Sequence, residues 1–164
     1  MKEINQTKEM LLDSVSKNPG LHFRELQRKT GLAVGQLEYH LYQLEKSGRI
    51  VSRRDGKLVR FFSNETGTIR ERSLAFHLRN RFSREIITHL IRNDFREITD
   101  RDLKNEKINA ALKAMLKDGI LEEFGKGQQT SVRLRNRDEV LLFLRRYKMS
   151  FVESLAFSLL DLLD

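Results

Sequence analysis

The 164-residue chain contains no cysteine. That absence excludes disulfides, thiolate zinc sites and thiol redox sensing together. No apolar run approaches the roughly 20 residues needed to cross a bilayer. Met1 to Thr7 is polar and lacks the apolar centre of a secretory leader. A cytoplasmic, soluble protein with no membrane partner is therefore expected. Catalytic signatures are also missing: there is no GxxxxGK[ST] phosphate loop, no HExxH and no GxSxG elbow. The four histidines, His22, His40, His77 and His89, are scattered without ligand spacing. Gly125 and Gly127 follow a predicted strand but open no helix, so they do not read as a nucleotide loop. The expectation is a non-enzymatic protein with no metal and no cofactor.

What is present is charge, and it is localised. Lys and Arg number 31 against 23 Asp and Glu, a net of +8. Residues 48–84 hold ten Lys/Arg and three Asp/Glu, so this one stretch carries +7. Residues 1–47 and 85–135 each carry +1, and residues 136–164 carry −1. A concentrated positive potential suits a polyanionic partner, of which nucleic acid is the commonest.

The chain also repeats itself. Phe23-Arg24-Glu25-Leu26 recurs as Phe95-Arg96-Glu97-Ile98. Leu37, Leu41, Leu44, Gly48 and Ile50 match Ile108, Leu112, Met115, Gly119 and Leu121 at a constant shift of 71. Leu11, Leu12, Val15 and Asn18 match Ile86, Ile87, Leu90 and Asn93 at a shift of 75. An ordered set of this kind points to two copies of one small unit followed by a tail.

The first copy can be read element by element. Met10, Leu11 and Val15 have helical spacing, and Pro19-Gly20 stops that helix. His22 to Thr30 predicts a short second helix with Phe23 and Leu26 inward. Gly31 makes the sharp turn, because only glycine takes left-handed angles cheaply. Residues 34–47 predict a third helix, with Leu37, Leu41 and Leu44 buried and Gly48 as the stop. Arg49 to Arg53 and Val59 to Phe62 predict strands joined at Asp55-Gly56, a strong hairpin signal. The fold class expected is mainly α with small β-hairpin wings.

The motifs PGLHFRELQRKTGL, LEYHLYQLEKSG and IVSRRDGKLVRFF carry a resemblance. The stretch from Asn18 to Phe62 resembles the winged helix-turn-helix domains of prokaryotic ArsR/MarR-type transcription regulators, and looks most like archaeal members. The resemblance implies double-stranded DNA as the partner, a third helix in the major groove and a wing on the backbone or minor groove. One departure is Ala33-Val34-Gly35-Gln36, where members often carry a capping Ser or Thr. The organisation expected is a first winged domain over 1–65, a basic linker helix over 66–84, a second, degenerate winged domain over 85–135, and C-terminal helices over 136–164.

Periodicity selects the DNA-facing residues. With the three leucines inward, about 100° per residue puts Gly35, Tyr39, Tyr42 and Lys46 opposite them. Gln36 and Gln43 lie beside that face and can pair bidentately with adenine. Tyr39 suits a phosphate or a thymine methyl. His40 lies near the buried stripe and reads as a structural histidine, while the resemblance keeps it as a DNA contact. Arg53, Arg54, Lys57 and Arg60 crowd the wing over 53–60, with Arg53 and Arg54 on opposite faces. In the second copy Ala110, Lys113 and Lys117 face out with Lys107 beside them, a face suited to backbone contact, and the unit reads as a weak auxiliary DNA contact or as a packing or partner module. Its wing, residues 125–129, is less basic.

Thr68 to Phe82 reads as one helix carrying Arg70, Arg72, Arg79 and Arg81. The tail is apolar all round. Phe151, Val152, Leu155, Leu159 and Leu162 form one ridge, and Ala156, Leu160 and Leu163 a second row. A homodimer interface is expected there, since a two-fold dimer matches a palindromic site. No small-molecule effector is named by the sequence. The function expected is a nucleoid-associated, DNA-binding transcription regulator. The alternatives are an architectural, chromatin-like DNA binder with little sequence preference, or a winged-helix module that holds protein or RNA.

Overall fold

The computed structural model describes residues 2–125 and 130–152. The chain divides into two compact units, residues 1–72 and 73–164. Among the described residues no helix is long and apolar enough to cross a membrane.

The first unit opens with α1 (Lys2–Lys17). Its inward residues Leu11, Leu12 and Val15 are buried. A two-residue strand follows, β1 (Leu21–His22), and then α2 (Phe23–Thr30). Glu25 caps α2 by accepting the His22 backbone N–H at 2.9 Å. Gly31 ends α2 at φ +70°, its N–H donating to the Gln27 carbonyl. α3 (Val34–Lys46) buries Leu37, His40, Leu41 and Leu44. Gly48 stops it at φ +69°, and the Arg49 N–H reaches back to the Leu44 carbonyl at 3.0 Å. The wing is β2 (Ile50–Asp55) paired with β3 (Leu58–Ser63), turning at Gly56 with φ +60°. Their register pairs Arg53 with Arg60 and Asp55 with Leu58. β1 adds to the other side of β3, Leu21 opposite Phe61 and His22 opposite Arg60, so the sheet order is β1-β3-β2. One apolar cluster joins Leu11, Leu21, Leu26, Leu37, Ile50 and Phe61.

α4 (Ile69–Arg79) leads into the second unit. The single helix read over Thr68 to Phe82 is two. Asn80 ends the first and caps α5 (Arg81–Arg92), its side-chain oxygen accepting from the Phe82 and Ser83 N–H groups. An Asn cap satisfies otherwise orphaned N–H donors and so starts a helix wherever it stands. Buried His77 ties α4 to a later turn, with Nε2 2.8 Å from Asp118. β4 (Arg96–Glu97), α6 (Asp100–Lys104) and α7 (Glu106–Lys117) come next, then β5 (Leu121–Phe124) and β6 (Ser131–Leu134). The strand order β4-β6-β5 repeats that of the first unit. So do the hydrogen bonds around the two stops. Ile120 N–H donates to the Met115 carbonyl, and Arg135 N–H to the Ile120 carbonyl, each 71 residues after its counterpart. α8 (Arg137–Arg146) and α9 (Lys148–Phe151) close the described part.

One sequence match does not survive the fold. Phe23 to Leu26 lies in α2, whereas Phe95 to Ile98 spans β4 and its flanks. Strand pairing instead equates Leu21 with Arg96, since they face Phe61 and Val132, themselves 71 apart. Two segments that share three of four letters therefore occupy different elements. α6 is also shorter than α2, and only Asn105 separates it from α7. Among the described residues the second unit has no counterpart of the Gly31 turn.

Candidate nucleic-acid interface

α3 offers one exposed side. Val34, Gln36, Glu38, Tyr39, Tyr42, Glu45 and Lys46 are exposed and Gln43 is half-buried. Tyr39 and Tyr42 stand out for aromatic residues, at 52% and 58% exposure. Lys46 lies over the Tyr42 ring, 5.9 Å from its centre. Gln36 is not wholly at liberty: its Oε1 accepts from the Ala33 N–H at 3.4 Å, taking the place of the missing hydroxyl cap. His40 is 6% exposed and its ring packs edge-on against Tyr39. Its Nδ1 has no hydrogen-bond partner among the described residues. It belongs to the interior side of α3, as its angular position indicated. Glu38 and Glu45 offset Lys46, so this helix is not itself basic.

The wing supplies the cations, though fewer than its sequence suggests. Arg54 and Lys57 are exposed and Arg53 is half-buried. Arg60 requires a correction. It was expected among the outward wing charges, yet it is 6% exposed. Its Nε donates to Asp55 at 2.7 Å and its Nη1 to the Gly20 carbonyl at 3.0 Å. Arg60 shares a face of β3 with buried Phe62, and Arg60, Phe61, Phe62 and Ser63 are buried in succession, so both faces of this part of the strand are covered. Arg49, also in the basic segment, is clamped between Glu9 and Glu65. Those two carboxylates raise the guanidinium's proton affinity further, and Glu9 is held below the usual carboxylate range, chiefly by its hydrogen bond from Arg49.

α2 adds what periodicity passed over. Arg24, Arg28 and Lys29 are all exposed. In helix-turn-helix proteins the first helix of the pair crosses the DNA backbone. The signal was legible in RELQRK, three cations on an eight-residue helix, but the net charge of +1 over residues 1–47 hid it.

Helix, short strand, helix, turn, helix and hairpin now stand in one unit, with a polar aromatic face beside a basic wing. Residues 5–74 match the family model HTH_HVO_0163_N, described as an N-terminal HTH domain. Over those residues the first unit is similar to a helix-turn-helix domain. The chain is also similar to the protein of Methanocaldococcus jannaschii named Uncharacterized HTH-type transcriptional regulator MJ1398, 27% identical over 129 residues. That alignment covers 77% of this chain and 32% of the relative, so the chain spans about a third of the curated relative's length. No solved structure matches significantly.

Outside the helix-turn-helix domain the candidates scatter. Lys107 and Lys113 are exposed on α7, and the Lys107 amine lies 5.7 Å from the centre of the Phe82 ring. Residues 126–129 of the second wing lie outside the described residues. Of the expected dimer ridge, Phe151 needs correcting: it is fully buried in its own unit, 5.9 Å from the Phe143 ring, with the Arg79 guanidinium 4.0 Å above its centre. Four residues of α9 suffice to fold it back under α8. Val152 is half-buried. Leu155, Leu159 and Leu162, with Ala156, Leu160 and Leu163, lie outside the described residues. Among the described residues no three His, Asp or Glu side chains gather as metal ligands.

Proposed function

We propose that the protein is a sequence-specific, double-stranded-DNA-binding transcription regulator of the winged kind, similar to ArsR/MarR regulators. The carrying observation is the pairing of an exposed, uncharged row on α3 with the exposed cations Arg54 and Lys57 on the wing. α3 reads the major groove with Gln36, Tyr39 and Gln43. α2, through Arg24, Arg28 and Lys29, and the wing hold phosphates. Exposed Glu38 and Glu45 weigh against the architectural alternative, because a carboxylate near phosphates weakens sequence-independent binding. It can instead accept from a cytosine amine. The second unit is a degenerate copy whose α7, through Lys107 and Lys113, makes auxiliary backbone contacts. Exposed Leu142 and Met149, at 64% and 82%, support a homodimer through the C-terminal part.

The test compares random with selected duplexes across salt. Arg53→Ala with Arg54→Ala should weaken both classes of duplex alike and lower the salt slope by up to about 2, one unit per lost phosphate contact. Wild-type affinity and slope in that variant would remove the wing from the interface. Equal affinity of the wild type for random and selected duplexes would remove sequence specificity.

A further inference from the structure

The two units fill the inner side of their first helix differently. In the first, Leu11 of α1 shares one apolar cluster with Leu21 of β1, Leu26 of α2 and Leu37 of α3. In the second, strand pairing puts Arg96 where Leu21 stands. Counting from the helix caps His22 and Thr99, Leu103 takes the place of Leu26. Leu26 is fully buried, but Leu103 is 51% exposed. The short α6 packs on α7, and its inward residue is Asp102, which holds Arg96 Nη2 at 2.6 Å. An apolar position has become a cation, Arg96, paired with the helix-capping carboxylate that corresponds to Glu25, and such a partly buried pair is seldom favourable for stability alone.

A cleft of about 180 Å³ remains, lined by Phe82, Glu85, Ile86, His89, Arg96 and Ile108. None of these comes from α6. Phe82, Ile86 and Ile108 make an apolar wall. Arg96 enters from β4 with one guanidinium nitrogen engaged by Asp102. Among the described residues no other side chain accepts a hydrogen bond from it. Glu85 lines the cleft from α5, and among the described residues its one ion pair is an exposed i,i+4 contact with Arg81, worth little. Cation and carboxylate thus come from separate elements beside one apolar wall.

We propose that this cleft binds a free α-amino acid with a small aliphatic side chain. The guanidinium of Arg96 takes the carboxylate, for which its planar fork is suited. Glu85 takes the ammonium, and Phe82, Ile86 and Ile108 cover the side chain. A simple carboxylic acid would set its charge against Glu85, and a simple amine against Arg96; only the zwitterion satisfies both. The size fits, since an apolar cavity of roughly 150 Å³ accommodates benzene. This site does not depend on the DNA reading and is tested on the protein alone.

The experiment is calorimetric titration of the full chain with L-leucine, with 4-methylpentanoate, which lacks the ammonium, and with 3-methylbutylamine, which lacks the carboxylate. Leucine should bind saturably, and each truncated analogue roughly tenfold or more weaker, a loss of about 1.4 kcal/mol. Glu85→Gln, at an exposed position that leaves the fold intact, should weaken leucine by a similar factor while leaving the acid unchanged or improved. Arg96→Gln should weaken leucine and the acid together. Absence of saturable heat from leucine, valine, isoleucine and alanine at millimolar concentration overturns the proposal. So does an acid or amine that binds as well as leucine, or a Glu85→Gln variant that binds leucine like the wild type.

Discussion

Replacing Arg60 with Met should destabilise the helix-turn-helix domain without removing a DNA contact. The Arg60 side chain is 7% exposed, and its guanidinium joins the wing carboxylate of Asp55 to the Gly20 carbonyl in the turn before β1. Removing one member of a buried pair costs about 3–5 kcal/mol, because a charge is left without a partner. Asp55 is 18% exposed and can recover some hydration. The expected loss is therefore smaller, about 2–3 kcal/mol, near that of a charged hydrogen bond plus an orphaned carbonyl. For a domain of this size that corresponds to roughly 10–20 °C in Tm. Hydrogen exchange of the β3 amides under native conditions reads the effect in the first unit alone. Asp55→Asn, made in both backgrounds, should give a coupling energy of about 1–3 kcal/mol. The salt slope of DNA binding should stay at the wild-type value. A stability change within about 0.5 kcal/mol, the range of ordinary surface substitutions, would refute the brace. A salt slope reduced by about 1 would return Arg60 to the phosphate contacts.

Gly35 lies on the exposed side of α3, and a Cβ there would meet nothing within 4 Å. Gly35→Ala should therefore stabilise the free protein by up to about 1 kcal/mol; if DNA approaches this point closely, affinity should fall nonetheless. Unchanged affinity, measured by fluorescence anisotropy, would place the DNA elsewhere. Burial alone would push the Asp102 carboxyl up, but hydrogen bonds from Thr99 and the Arg96 guanidinium outweigh it and hold it below the usual aspartate range. The folded state thus favours the charged form, and this contribution is full above about pH 4 and lost as the pH falls further. Asp102→Asn should flatten the acid side of the second unit's stability profile, followed by hydrogen exchange of α7; an unchanged profile would deny the linkage. Because Phe151 is a core residue, removal of residues 153–164 is the cleaner test of the dimer. Sedimentation should show a dimer become a monomer with α8 still folded, and a monomeric full-length chain at micromolar concentration would end the interface reading.

Much of the first unit follows from local sequence. Leu37, Leu41 and Leu44 at helical spacing, Gly31 and Gly48 at positions of positive φ, and Asp55-Gly56 between apolar strands each specify an element through neighbours close in the chain. Local rules also placed Tyr39, Tyr42 and Lys46 outside and His40 near the core, because an amphipathic helix has a single angular answer once its apolar stripe is known. Only the tertiary structure decided the rest. β1 has two residues, too few to show a period, and exists because β3 offers it an edge. That pairing sets His22 opposite Arg60 and brings the Gly20 carbonyl to its guanidinium, so a charge that reads as one more wing cation is held inside with Asp55. Phe23 to Leu26 and Phe95 to Ile98 share letters but not structure, since register is settled by partners across the sheet. The cleft beside Arg96 was equally illegible, because its lining comes from α5, β4 and α7, which only the fold brings together.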